Sequence, residues 1–218
     1  VLSEYFAADD QVALLLSGGI DSSYLAMLAS DYRDQVVCYH LESVETHIAE
    51  RVASRFGLEL RVVKPDLAVF HETHKRLIHN FGVTFSSAHI PGSVAHAVHR
   101  DGLKVMLSAN GADELFFGYS RTPDFMDRIN RPSLGKESSV RDQLTHIFRE
   151  PWRVSSDLPV QDFSLGQLYT ALYRPDLVPH AACRVAELDS YVRYDLNPTL
   201  DFASMAFSVE ARVPFLDQ

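Results

Sequence analysis

The stretch that decides the fold is Val12-Ala13-Leu14-Leu15-Leu16, followed at once by Ser17-Gly18-Gly19-Ile20-Asp21-Ser22-Ser23. The apolar run predicts a buried strand, the two glycines predict a turn, and the residues after them predict the start of a helix. A strand, a glycine turn and a helix start together gather backbone N–H groups into a site that binds phosphate. The plainer alternative is a strand-to-helix turn with an N-cap serine.

The residues around the glycines indicate which phosphate chemistry to expect. No Lys follows the glycines, so this is not the GxxxxGK[ST] loop that grips β- and γ-phosphates. Asp21 would repel a pyrophosphate unless a divalent cation lay between them, and we therefore interpret Asp21 as a Mg²⁺ ligand. Ser17, Ser22 and Ser23 add hydroxyl donors. The segment resembles the SGGxDS signature of the PP-loop ATP pyrophosphatases, which split ATP into AMP and pyrophosphate.

Strand-like and helix-like segments alternate through the first half of the chain. The strands are predicted at Val12–Leu16, Val36–Leu41, Leu58–Val63 and Lys104–Ser108, and the helices at Ser22–Ala29, Val44–Phe56, Leu67–His79 and Ser93–Arg100. This alternation predicts a doubly wound α/β fold, with a parallel sheet between two layers of helices. Beyond about Tyr119 no convincing strand is expected, and a helical C-terminal layer is predicted from segments near Val140–Phe148, Leu165–Tyr173, Ala182–Val192 and Leu200–Phe207.

A second loop carries chemistry that fits the same site. In doubly wound sheets the ligand lies beyond the carboxyl ends of the strands, where the strand order reverses. The strand at Lys104–Ser108 is followed by Ala109-Asn110-Gly111-Ala112-Asp113-Glu114-Leu115-Phe116-Phe117-Gly118-Tyr119. We expect Asp113 to reach the same cation as Asp21. This loop resembles the GxGxDExFxGY motif of the asparagine synthase family, and residues 200–217 resemble that family's Met-rich helix followed by ExRxPFLD.

The resemblance to the asparagine synthase family implies both a fold and an activity. The implied fold is that of a PP-loop ATP pyrophosphatase, similar to the adenine nucleotide alpha hydrolases. It would form one domain over residues 1–218, with a nucleotide-binding core at 1–121 and a helical part at 122–218, and without an N-terminal glutaminase domain. The implied activity is that of an asparagine synthetase-like ligase. With ATP and Mg²⁺ it activates a small-molecule carboxylate as an acyl-adenylate and releases pyrophosphate. Ammonia or another amine then displaces AMP.

The same resemblance assigns roles to individual residues. It implies a pyrophosphate site at Ser17, Gly18, Gly19, Asp21, Ser22 and Ser23. It implies Mg²⁺ ligands at Asp21 and Asp113, which with Asn110 occupy the catalytic positions, and an adenosine pocket lined by Leu15, Cys38, Ser108 and Ala109.

The chain also departs from the family pattern. Asn110 stands where asparagine synthetases carry an acid and β-lactam synthetases a Tyr, and an amide cannot act as a general base. Ala109 and Phe117 replace glycines common in the family. The lysine that family members place after PFLD would lie beyond Gln218.

Composition limits the partners. The 218 residues include 20 Lys and Arg against 29 Asp and Glu, and the net charge of -9 argues against a nucleic-acid partner. No apolar stretch approaches the length of a membrane span, so no membrane partner is expected. Cys38 and Cys183 form no CxxC pair and are expected to be reduced thiols in a cytoplasmic protein. The oligomeric state is left open. Both termini are expected to be cut from a longer chain.

Three functions stay open on the sequence. The leading one is an asparagine synthase-like synthetase that uses free ammonia or a separate glutaminase subunit. The second is an intramolecular amide ligase similar to β-lactam synthetase. The third is a nucleotide-binding module without turnover, which Asn110 favours.

The histidines at 71, 74, 79, 89, 96 and 99 are interpreted as solvated helix faces and not as a metal site.

Overall fold

A computed structural model of the chain describes residues 2–5, 11–119, 172, 174 and 176–217. The described strands form one sheet in the order β3-β2-β1-β4-β5, and every neighbouring pair is parallel. These strands are β1 (Val12–Leu15), β2 (Val36–Leu41), β3 (Glu59–Val63), β4 (Val105–Leu107) and β5 (Glu210–Arg212).

Helices connect these strands. Numbered among the described residues, they are α1 (Leu2–Tyr5), α2 (Ile20–Ala29), α3 (Thr46–Phe56), α4 (Leu67–Phe81), α5 (His89–Arg100), α6 (Ala112–Phe116), α7 (Pro179–Glu187) and α8 (Asn197–Met205). A π-helical segment, Leu188–Leu196, lies between α7 and α8. Helix α5 begins at His89, four residues before the predicted start, because Pro91 falls in its first turn, where a missing N–H breaks no intrahelical bond.

Alternate residues of the strands build a core on each face of the sheet. On one face Leu14 and Cys38 pack with Leu25 of α2 and with α3, and on the other Ala13 and Tyr39 pack with α5 and α8. Successive side chains of a strand point to opposite faces, so the buried residues of β1 and β2 contribute to the cores on both faces of the sheet. The doubly wound α/β fold predicted from the sequence is confirmed.

The expectation that no strand follows Tyr119 is wrong. Residues Glu210–Arg212 form β5, which pairs with β4 in the register Val105↔Glu210 and Leu107↔Arg212. A three-residue edge strand with a charge at each end has no apolar period that would reveal it. The Glu210 and Arg212 side chains form an ion pair, with 2.8 Å between Arg212 Nε and Glu210 Oε1.

The chain divides into two compact units. The first comprises Val1–Asn110 with Leu196–Gln218 and contains the whole sheet, and the second comprises Gly111–Asp195. The helix predicted at Val140–Phe148 lies outside the described residues, as does nearly all of the one at Leu165–Tyr173. Among the described residues, no helix has the length and apolar character needed to cross a membrane.

Candidate nucleotide and metal site

The strand order places the glycine loop at the point where the sheet reverses direction. The chain runs from β1 outward through β2 to β3, and then returns to the other side of β1 as β4. Strands β1 and β4 are parallel neighbours with the register Leu14↔Leu107. The loop at Ser17 and the loop at Ser108 therefore leave adjacent strands at their carboxyl ends, where doubly wound proteins bind ligands.

The two glycines of the first loop do different things. Gly18 has φ +93, a backbone conformation that residues with a Cβ rarely adopt. A Cβ there would lie 3.2 Å from the Ala49 nitrogen and from Ile48 Cβ. Gly19 is the N-cap of α2 and brings no capping side chain. The N-terminal end of α2 is thus not covered by its own cap, and Asp21 lies in its first turn, partly exposed.

The serine hydroxyls bond within the loop. Ser22 Oγ donates to the Gly19 carbonyl at 3.1 Å and lies 2.9 Å from Ser17 Oγ, and the Gly19 N–H donates to Ser17 Oγ at 3.2 Å. Ser23 Oγ donates to the Gly18 carbonyl at 3.4 Å. Ser22 is 4% exposed, so its hydroxyl supports the loop from the buried side, whereas Ser17 and Gly19 are exposed.

The residues expected around the adenosine lie in the first unit. Leu15 is partly buried, and Ala109 packs against the core that contains β1 and α2. Cys38 is fully buried, and burial raises the pKa of its thiol to about 12, which leaves almost no thiolate at neutral pH. The Cys38 side chain is therefore a packing group and not a nucleophile.

Asn110 is held by the residue at the end of β4. Ser108 Oγ donates to Asn110 Oδ1 at 2.9 Å, and the Asn110 N–H lies 3.3 Å from the same hydroxyl. Ser108 is 1% exposed, and its N–H donates to the Arg212 carbonyl of β5 at 2.9 Å. With its oxygen engaged in this way, the Asn110 amide presents a donor and no base.

Asp113 belongs to the second unit, where it lies against Gly118. A Cβ at Gly118 would overlap Asp113 Oδ1 and lie 2.8 Å from Asp113 Cγ, and the Gly118 N–H donates to the Asp113 carbonyl at 2.9 Å. Phe117, which replaces a family glycine, has φ 61, and Arg184 lies over its ring at 4.9 Å. Sharing of one cation by Asp21 and Asp113 stays a prediction.

Glu114, the next residue of α6, is a buried carboxyl that the sequence analysis did not assign. It is 0% exposed, and Tyr119 donates to its Oε1 at 2.7 Å. Burial, together with the hydrogen bond to Glu114, raises the pKa of Tyr119 far above its usual value. Tyr119 is therefore a donor at every working pH.

Other candidate sites are weaker. No group of three or more His, Cys, Asp and Glu residues arranged for a metal occurs in the described part of the chain. A cavity of about 720 Å³ lies beside β3, α4 and α5, away from the glycine loop. Its Arg61 is already paired with Asp101 and with Glu59, each at 2.8 Å, so this guanidinium leaves little charge for an anion.

His40, which belongs to none of the motifs, is a buried histidine near the end of β2. Its Nδ1 lies 2.8 Å from the Leu16 carbonyl, directly before the glycine loop, and its Nε2 lies 3.1 Å from Thr46 Oγ1. The sequence signal that could have identified His40 is a histidine within the otherwise apolar strand predicted at Val36–Leu41.

The sequence of this chain is similar to those of several known proteins. A putative glutamine-hydrolysing asparagine synthetase of Methanocaldococcus jannaschii is 31% identical over 96% of this chain and 31% of its own length. Asparagine synthetase 1 of Bacillus subtilis is 25% identical over 98% of this chain and 40% of its own length. Amidase chyE of Penicillium rubens is 29% identical over 51% of this chain and 20% of its own length. The chain thus spans between 20% and 40% of the length of these relatives. The sequence model of asparagine synthase matches residues 3–218, and the chain belongs to the asparagine synthase family.

Proposed function

We propose that this chain is the ATP-dependent synthetase part of an amide-forming enzyme. The observation that carries the proposal is the positive φ of Gly18, followed by the glycine-capped N-terminus of α2, at the reversal point of the sheet. Backbone N–H groups and the helix dipole favour a phosphate at such a position. Membership of the asparagine synthase family and relatives named asparagine synthetases support ATP as the source of that phosphate.

The residues present fit a magnesium–nucleotide complex. In the loop Ser17 and Gly19 are exposed, and Asp21 supplies carboxylate oxygens of the kind that Mg²⁺ prefers. When bound, Mg²⁺ neutralises charge on the phosphates. Asp21 and Asp113 would hold the ion, and Ser22 and Ser23 would keep the loop in shape. Leu15 and Ala109, which are partly exposed, would line the adenosine pocket, with the buried Cys38 and Ser108 packed behind them.

In the proposed reaction the substrate carboxylate attacks the α-phosphorus of ATP, and pyrophosphate leaves. The resulting acyl-adenylate is attacked by ammonia or another amine, with AMP as the leaving group. The first step depends on positioning and charge neutralisation, which backbone donors and carboxylates supply. The second step needs a base or a neutral amine, and Asn110 cannot be that base.

Binding of MgATP is the first test. Isothermal titration of the 218-residue chain with ATP should show binding that is stronger in Mg²⁺ than in EDTA. Isotope exchange between pyrophosphate and ATP, measured across candidate carboxylates, then tests adenylate formation. We expect exchange to require both Mg²⁺ and the correct carboxylate, because adenylate formation needs both reactants and charge neutralisation at the phosphates. A folded chain that does not bind MgATP would show that the proposed function is wrong.

A nucleotide-binding module without turnover is the second candidate. The bond between Ser108 and Asn110 favours it, because that bond occupies the amide oxygen. The variant Asn110→Glu restores the acid found in asparagine synthetases and separates the two candidates. If the site is otherwise competent, the variant should form amide product with the correct carboxylate. Continued absence of both exchange and amide product in Asn110→Glu would favour the non-catalytic module.

A further inference from the structure

His40 has one ring nitrogen bonded to the strand that carries the glycine loop. The side chain is 4% exposed, and Nδ1 lies 2.8 Å from the Leu16 carbonyl. A carbonyl oxygen only accepts hydrogen bonds, so Nδ1 carries a proton and donates it. Leu16 directly precedes Ser17, and the bond therefore fixes the peptide group at which the loop leaves β1.

The other ring nitrogen of His40 is bonded to the start of α3. Nε2 lies 3.1 Å from Oγ1 of Thr46, the first residue of that helix. The same hydroxyl receives the Ser43 N–H at 2.9 Å and lies 2.8 Å from the Ser43 carbonyl. His40 thereby holds the turn that leads into α3 as well as the end of β1.

Helix α3 is in turn the surface on which the glycine loop lies. At Gly18 the helix is so close that an added Cβ would be 3.2 Å from both the Ala49 nitrogen and Ile48 Cβ. A shift of the first turns of α3 would therefore change the space available to Gly18. The loop is confined by the end of β1 and by α3, and His40 is bonded to both.

We propose that His40 is a positioning residue that holds the glycine loop in its phosphate-binding shape. The inference rests on the proposed ATP site and adds to it a residue outside the glycine loop. A buried imidazole is costly unless its nitrogens are bonded, and an apolar side chain of similar size would fill the same space without that cost. The two bonds are thus interpreted as serving the loop and not the packing of β2 alone.

The test compares two substitutions of His40 with a control elsewhere in the first unit. His40→Phe keeps a planar, slightly larger ring and loses both bonds, whereas His40→Asn keeps an N–H donor near the Nδ1 position. The control is Thr73→Val, because Thr73 is 0% exposed and its hydroxyl donates to the Val69 carbonyl within α4 at 2.8 Å. We expect His40→Phe to raise the Kd for MgATP by about 10-fold, as expected for a lost buried hydrogen bond. His40→Asn should recover most of the affinity, and Thr73→Val should leave the Kd unchanged.

A second measurement needs no nucleotide. In His40→Phe the loop amides of residues 18–23 should exchange hydrogen at least about 10-fold faster than in the unsubstituted chain, while those of β1 stay protected. If the unsubstituted chain does not bind MgATP, the proposed ATP site is wrong. The exchange measurement would still test whether His40 holds the glycine loop in place. Unchanged exchange and unchanged Kd in His40→Phe would overturn the inference. So would equal losses of affinity in His40→Phe, His40→Asn and Thr73→Val.

Discussion

Replacing Gly118 with Ala should displace the Asp113 carboxylate while leaving the chain folded. A Cβ at this position would overlap Asp113 Oδ1, and it would lie 2.8 Å from Cγ and 3.2 Å from Cα of the same residue. Gly118 is not among the residues with positive φ, so its backbone accepts alanine without strain. The effect of the substitution must therefore come from its contact with Asp113.

The structure sets the size of the expected effects. The overlapping atom is at the end of a short side chain, so the simplest response is a rotation of Asp113 away from its present rotamer. A side chain held about 30° off its rotamer costs about 0.5–1.5 kcal/mol, and the free energy of unfolding should fall by about that amount. If Asp113 holds Mg²⁺, the displaced ligand should weaken nucleotide binding in Mg²⁺ by about 10- to 100-fold, the usual cost of disturbing the support of a metal ligand.

Urea unfolding and ATP titrations, in Mg²⁺ and in EDTA, would measure both effects. The control is the same substitution made in Asp113→Ala, where the overlapping atoms are gone and Gly118→Ala should have almost no further effect on either quantity. Equal destabilisation with and without the Asp113 side chain would refute the steric argument. Unchanged binding in Mg²⁺ for both Gly118→Ala and Asp113→Ala would instead remove Asp113 from the metal site.

Three further predictions concern single positions. Asp21→Asn should weaken ATP binding far more in Mg²⁺ than in EDTA, and equal losses in titrations under both conditions would exclude Asp21 as a ligand. Ser208 has φ 59, so Ser208→Gly should raise the free energy of unfolding, measured with urea, by about 0.5–1 kcal/mol. The control Ser30→Gly, at φ -62, should lower it by about as much. Burial raises the pKa of the Cys38 thiol from 9.0 to about 12, so the unfolded thiol ionises first as the pH rises. The free energy of unfolding should therefore fall between about pH 9 and pH 12, by less in Cys38→Val, and a fall of equal size in that variant would contradict the assignment.

Local sequence determined much of the fold and the centre of the candidate site. The apolar run at Val12–Leu16 can only be buried, and a glycine pair before a hydroxyl-rich helix start needs no distant partner to form its turn. The alternation of strands and helices likewise fixed a parallel, doubly wound sheet, because parallel strands need helical crossovers. These features depend on backbone conformation and short-range pattern, which sequence carries directly.

Tertiary structure decided what depends on contacts between distant segments. The strand Glu210–Arg212 exists because β4 offers it an edge, and its own residues show no strand period. The link from Leu16 through His40 to Thr46 depends on the pairing of β1 with β2 and on where α3 begins. The sequence by itself thus determined four parallel strands and the glycine loop, whereas the fifth strand and the contacts between side chains far apart along the chain were decided only when the sheet and helices packed.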